Sequence, residues 1–443
     1  MSGFYLAGKK MPFWVVAFST NATGESGWLL LGLTGMGYAV GAQALWVVAG
    51  EVLGIWLAWT LIARKFKRLS DESDSITVPD VLAARFKDTR HILRTISVII
   101  ILVMVGAYVT AQMVASGKAL SSFIAIDYGP AVLIGGVVII AYTLVGGFKA
   151  VAYTDVVQGV LMLAGLILVP VVAIGAAGGL DGVATALRQI DPNLLEPWGA
   201  GGPAGWIAIV SFLAIGLPFL GVPQLMTRFM SASSEAELGK ARIISVTVIL
   251  LFDLGAVAAG MAGRALFPDL MDAETIFPVL AQELFPAIIT GLLMVIVLAA
   301  IMSTVDSLLL LASSAVVRDL MQTVLRSART DAQLTTVGKL VTLLVGVIGI
   351  VFAMVEAPVI FWFVLFAWSG LGAAFGPVIL CALFDPKANL TGAIAGMVCG
   401  FLTSVVWVLA FKSQTHGLYE MIPGFLLGLA ATVGFSRLAP GKG

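Results

Sequence analysis

Residues 19–28 read STNATGESGW. They sit inside an apolar run that spans about residues 12–36. Such a run is long enough to cross a bilayer, which takes about 20 mostly apolar residues. Yet Asn21, Gly24, Glu25 and Gly27 stand in its middle. An ionised side chain facing lipid there costs roughly 2.5–3.5 kcal/mol or more. Glycines at the same point permit the helix to stop. The segment therefore reads as a helix that breaks inside the membrane, freeing carbonyls and half-helix ends for a bound group.

The composition places the whole chain in a membrane. Of 443 residues, 60% are hydrophobic and 11% charged, with mean hydropathy +1.04; a soluble domain is about half apolar and a quarter charged. Formal net charge is zero, so no basic field points to nucleic acid. Cys381 and Cys399 lie in apolar runs and form neither a disulfide framework nor a metal spacing. His91 and His416 fall at loop edges. The opening MSGFYLAGKKM lacks the apolar core of a signal peptide.

Apolar runs predict about twelve spans, at 12–36, 41–63, 95–123, 129–147, 151–177, 204–227, 241–267, 286–317, 337–354, 358–383, 389–411 and 419–436. Of the 25 lysines and arginines, only Arg188, Arg264 and Lys412 fall on the side opposite the N-terminus, and Lys118 lies within the third span. That bias makes the N-terminal side cytoplasmic, with both termini inside a plasma (inner) membrane. The fold class is an all-α polytopic membrane protein. Spans one to five (12–177) and six to ten (204–383) form two five-helix units, followed by extra C-terminal helices at 389–436. Because five is odd, the second unit enters from the opposite side, which makes an inverted repeat. The sixth span carries a matching interruption, GLPFLGVPQLMTRF at 216–229, with Pro218, Gly221 and Pro223. Interruptions at corresponding positions of two halves mark a transporter's central site.

Five acids lie inside spans: Glu25, Glu51, Asp155, Asp253 and Asp306. Glu51 and Asp253 have no polar neighbours in sequence and read as buried structural hydrogen bonds or near-interface positions. Asp306 lies in AAIMSTVDSLLLLASS, residues 299–314. Ser303, Asp306 and Ser307 are spaced i, i+3, i+4 and share a helix face, with Thr304 beside it. Carboxylate, hydroxyl and carbonyl oxygens are hard ligands suited to Na⁺. The fifth span opens GGFKAVAYTDVVQG, residues 146–159. Gly146 and Gly147 mark a turn there, and Asp155 and Gln158 share a face near the cytoplasmic end, where an ion-release path would open.

With these blocks, SGWLLLGLTG at 26–35, DSITVPDVLAARF at 74–86 and GVPQLMTRFM at 221–230, the chain resembles the sodium/solute symporters, and within them the bacterial sodium/proline symporters. The resemblance implies a leucine-transporter-like five-plus-five core with broken helices one and six. It implies no enzyme, but a symporter that uses Na⁺ to import a small organic solute, an amino acid such as L-proline, by alternating access. It names Na⁺, the solute and the lipid bilayer as partners and no obligatory protein. Other outcomes it leaves open are H⁺ as coupling ion, a different solute (another amino acid, a carboxylate, a sugar acid or a vitamin), or a transporter-like membrane sensor. The main Na⁺ site maps by resemblance to Ala22, Glu25, Ala300, Ser303 and Thr304. A second Na⁺ site, present in some members, maps to Asp155, Ser303, Asp306 and Ser307. The solute pocket maps to Gly24, Glu25, Tyr108, Ile215, Phe219 and Pro223. Two departures stand out. The sodium/proline symporters have aspartate then methionine where this chain has Gly24 and Glu25, and a tryptophan and a tyrosine where it has Ile215 and Phe219.

Overall fold

A computed structural model describes residues 2–144, 147–355 and 359–439, with the side chain of Asp331 excepted. Gly146 and Lys442 lie outside the described residues. The described chain is helical; its β-structure is one isolated bridge, between Met11 and Ala232. Ten helical runs are long and apolar enough to cross a membrane. One of them, Trp28–Glu72, has 45 residues. At 1.5 Å per residue it far exceeds a hydrocarbon core about 30 Å thick, so it holds two passes. The chain turns between them at Gly41, with φ 57° and ψ −130°, a conformation open to glycine. Tyr128–Thr143 is a shorter apolar helix. With these two adjustments the twelve expected spans are present.

Several spans run past their apolar limits. The second helical run continues to Glu72, the seventh helix starts at Glu235 and the eighth runs on to Val324. Charged ends extend the helices because they pair beyond the apolar zone: Lys67 with Asp71 at 2.8 Å, and Arg68 with Glu235 at 2.7 Å. The fourth helix is shorter than expected and ends at Thr143, and Gly147 is extended before the fifth helix, Phe148–Ala176.

The first span is helical over Phe13–Gly24 and stops at Glu25, whose backbone is extended (φ −95°, ψ 107°). The chain restarts at Gly27. Ser26 Oγ accepts the Trp28 N–H at 3.0 Å, as a capping serine does at a helix start. Gln112 of the third span (Ile92–Ile124) stitches the gap. Its Oε1 accepts the Gly27 N–H and its Nε2 donates to Ser26 Oγ, both at 3.1 Å. The sixth span is helical over Gly202–Leu213, tightens to 3₁₀ over Ala214–Leu220 through Pro218, and breaks at Gly221 and Val222. It resumes as Pro223–Ser231 with proline at the first helical position, where its missing N–H is harmless.

Both breaks are interior. The seventh helix (Glu235–Leu266) lies against the first, second and fifth spans, and the eighth (Ala287–Val324) against the first, third and fifth. The tenth (Ile360–Phe384) packs on the third and sixth. Gly54 and Gly216 meet backbone to backbone, which seats the second span on the interrupted part of the sixth. Outward faces carry exposed Ile99, Val157, Val171, Phe352 and Leu409. Apolar exposure of this extent on a bundle is what lipid covers.

Between the second and third spans, the DSITVPDVLAARF block forms a helix over Val78–Arg85, capped by the Thr77 side chain. Asp80 pairs with Arg94 and, at 3.0 Å, with Arg318, and Arg94 also pairs with Asp319. Burial pushes the Asp80 carboxyl up. The two arginine charges and their hydrogen bonds outweigh it and hold the group below its ordinary range.

Candidate functional site

Four of the five residues expected at the main Na⁺ site come together across the first and eighth spans. Ser303 Oγ lies 2.7 Å from the Ala22 carbonyl and 2.9 Å from that of Ala300, and Thr304 Oγ1 lies 3.1 Å from the Thr23 carbonyl. All of these residues are buried. The helix ending at Gly24 presents its last carbonyls here, and they have no intrahelical partners. The result is a compact set of hydroxyl and carbonyl oxygens, the donor chemistry that suits a hard monovalent cation. Glu25 is the exception. Its N–H bonds the Asn21 carbonyl at 2.8 Å, and its carboxylate turns to a different group.

That group is Glu25, Glu51 and Asp253, three buried carboxylates from the first, second and seventh spans, with one oxygen of each within 4.8 Å of the others. Apart from one another, neither oxygen of Glu25 or Asp253 has a hydrogen-bond partner, nor has Glu51 Oε2. Glu51 is within hydrogen-bonding reach of both Glu25 and Asp253, so the contacts expected of Glu51 and Asp253 are to other acids and not to a conventional donor. Their partners are each other, and no sequence neighbour signals that.

Residues expected at a second ion site also meet, around an arginine that sequence reasoning passed over. Ser19 Oγ donates to Asp155 Oδ2 at 2.6 Å, and Thr23 Oγ1 is 3.1 Å from Ser307 Oγ. Ser307 lies 3.3 Å from Asp306 Oδ1. Arg228 Nη2 is 3.4 Å from Asp155 Oδ2 and hydrogen-bonds Ser307, while its Nε reaches Ser19 at 3.2 Å. Arg228 stands in the quoted sixth-span motif, five residues past Pro223. A basic residue that deep in a hydrophobic motif is the signal that identifies it.

Three of the six residues expected around a solute, Tyr108, Ile215 and Phe219, meet at Trp368 of the tenth span, which was not anticipated. The Phe219 ring packs edge-on against Trp368 at 5.3 Å, and Tyr108 does the same at 6.4 Å. Trp368 Nε1 donates to the Ile215 carbonyl at 3.2 Å. Gly24 faces Phe219: a Cβ on it would sit 3.4 Å from the ring. Pro223 is buried at the break, and next to it Gln224 is buried with both side-chain polar atoms unpartnered. Such a group costs free energy unless something else bonds it. Trp368 and Gln224 were missed because one lies far away in sequence and the other looks like an ordinary helix residue.

The sequence profile of the sodium:solute symporter family matches residues 4–400. The chain is 39% identical over 434 residues to the high-affinity proline transporter PutP of Bacillus subtilis (strain 168), covering 97% of this chain and 91% of that one. It is 37% identical over 444 residues to the sodium/proline symporter of Escherichia coli (strain K12), covering 98% and 87%. Among solved structures, a Na⁺-coupled sialic acid symporter in a substrate-bound outward-open state aligns with a TM-score of 0.79 over 100% of this chain and 93% of that one, at 22% identity. That likeness bears out the leucine-transporter-like, five-plus-five architecture with broken helices one and six. Sequence and architecture thus agree, and the chain is a member of the sodium:solute symporter family.

Proposed function

We propose that the protein imports L-proline, or an amino acid of similar size, together with Na⁺. The observation that carries the ion site is the pair of contacts from Ser303 to the Ala22 carbonyl and from Thr304 to the Thr23 carbonyl, across the broken first helix and the eighth. Both proline-transporting relatives support the solute. Na⁺ enters among these oxygens and Ala300, takes the place of the hydroxyl–carbonyl hydrogen bonds, and fixes the first helix against the eighth. That order reaches Gly24, the next residue along from Thr23, and the Phe219 ring it faces, beside Tyr108, Ile215, Trp368 and Pro223, where the solute binds. Gln224, whose side-chain amide has no hydrogen-bond partner, supplies a polar contact to the solute.

The units 12–177 and 204–383 are the two repeats, with 389–436 as the added helices, and bundles drawn from both repeats rock to open the site inward. Both termini face the cytoplasm, as the distribution of lysine and arginine supports. Each inward charge then gains about 2.3 kcal/mol per 100 mV of membrane potential. Asp155, Ser303, Asp306 and Ser307 form a second station. Arg228 already lies against Asp155 and Ser307, so Na⁺ stops there only as the arginine swings away.

The test is uptake of radiolabelled L-proline into proteoliposomes under an inward Na⁺ gradient, an inward H⁺ gradient, or neither. Accumulation only with Na⁺ is expected. No accumulation under either gradient removes proline, and accumulation with H⁺ alone removes the ion.

A further inference from the structure

Three carboxylates from three different helices meet in the interior without a counter-charge. Glu25 and Asp253 are wholly buried and Glu51 is 3% exposed. Among the described residues none of the three carries an ion pair, and apart from the contacts of Glu51 with Glu25 and Asp253, five of their six oxygens have no hydrogen-bond partner. Buried charges are ordinarily paired or bound to a metal. The geometry suits a metal. A point equidistant from three oxygens 4.8 Å apart lies about 2.8 Å from each, so a closer trio reaches the roughly 2.3–2.6 Å that oxygen ligands keep around Ca²⁺, a cation about the size of Na⁺. The site is also placed to matter. Glu25 is the residue at which the first helix breaks. Glu51 stands between Gly50 and Gly54, whose backbones touch Leu213 and Gly216 of the interrupted sixth span. A charge bound here links both broken helices.

We propose that Glu25, Glu51 and Asp253 form a further Na⁺ site, separate from the Ser303 and Thr304 oxygens, whose ion couples the two helix breaks. Na⁺ is the cation whose gradient reaches the protein's centre in a sodium:solute symporter. A small divalent ion such as Mg²⁺ keeps several waters and demands six ordered ligands, which a closed trio of carboxylates does not supply. The site goes beyond the solute reading and holds whichever solute is carried.

Equilibrium binding of ²²Na⁺ to the purified full-length protein, without solute, tests it. Wild type is expected to bind two ions per chain at saturation. Glu51→Gln and Asp253→Asn are each expected to bind one, and both should still respond to Ser303→Ala by weaker binding of the remaining ion. The elution volume on size exclusion checks that each variant is folded. One ion per chain in wild type, still bound by both carboxylate variants, overturns the site. Two ions per chain in both folded carboxylate variants also overturns it. So does unchanged Na⁺ binding with a loss of bound protons, read by a pH dye, which makes the cluster a proton site. Failure of Ser303→Ala to alter binding counts against the main ion site instead, so the two readings fail separately.

Discussion

Arg228 and Asp155 face each other at 3.4 Å between the sixth and fifth spans, both almost completely buried. The guanidinium also reaches Ser19 and Ser307, so one side chain ties together the first, fifth and eighth spans. A tethered positive charge thus lies against Asp155 and Ser307 in the interior.

Removing that charge leaves Asp155 buried and uncompensated. Breaking a buried pair from one side typically costs about 3–5 kcal/mol. Arg228→Gln is therefore expected to lower the unfolding midpoint in detergent by several degrees and to abolish uptake. Arg228→Lys keeps the charge but not the planar fork that spans Ser19 and Ser307, so it should fold nearly as well and still transport poorly. Equal stability of wild type and the glutamine variant would show that the pair does not hold the three spans together.

At the main ion site, Ser303→Ala deletes one oxygen and leaves the Ala22 carbonyl. Loss of a hydrogen-bonding or ion-binding oxygen of this kind costs about 1–1.5 kcal/mol, or about tenfold in binding. The half-saturating Na⁺ concentration for uptake should rise about tenfold, with the maximal rate at saturating Na⁺ largely kept. An unchanged Na⁺ dependence would take Ser303 out of the site.

Trp368 is held by the Ile215 carbonyl and packs on Phe219. Trp368→Phe removes the indole N–H and frees that ring. The solute KM should rise about threefold to tenfold, from about 1 kcal/mol of lost positioning. Because coupling between two ligands is reciprocal, the apparent Na⁺ affinity measured with solute present should fall as well. A changed solute KM with Na⁺ affinity wholly unaffected would separate the tryptophan from the coupled pocket.

Outside the spans, Asp80 bridges Arg94 and Arg318. Burial raises its pKa, but the two arginines win and its folded value lies below the unfolded one, about 4. A depressed carboxyl adds stability that is present above the unfolded value and is lost as pH falls through the folded value. Asp80→Asn should therefore unfold more easily at neutral pH, by about 3 kcal/mol. Its disadvantage should shrink as the pH drops below about 4. Thermal unfolding of both proteins from pH 7 down to the acid limit checks this, and a gap that stays constant with pH would refute the linkage.

The membrane class, the twelve spans and both helix breaks were legible in the sequence. The bilayer imposes a fixed length of apolar residues, and an acid beside glycines, or paired prolines with a glycine, inside that length stands out as a break. The face carrying Ser303, Thr304 and Ser307 was legible too, because helical spacing is local. What the chain could not reveal is which spans meet. Glu25, Glu51 and Asp253 lie more than two hundred residues apart end to end, and each looks like an isolated anomaly. Trp368 resembles any span tryptophan until it is seen against Phe219. Arg228 stands out in its motif, but its partner Asp155 appears only in the packed structure. Desolvation penalties fall on single residues and can be read one at a time, whereas their compensation is a property of pairs and triplets that packing alone brings within reach.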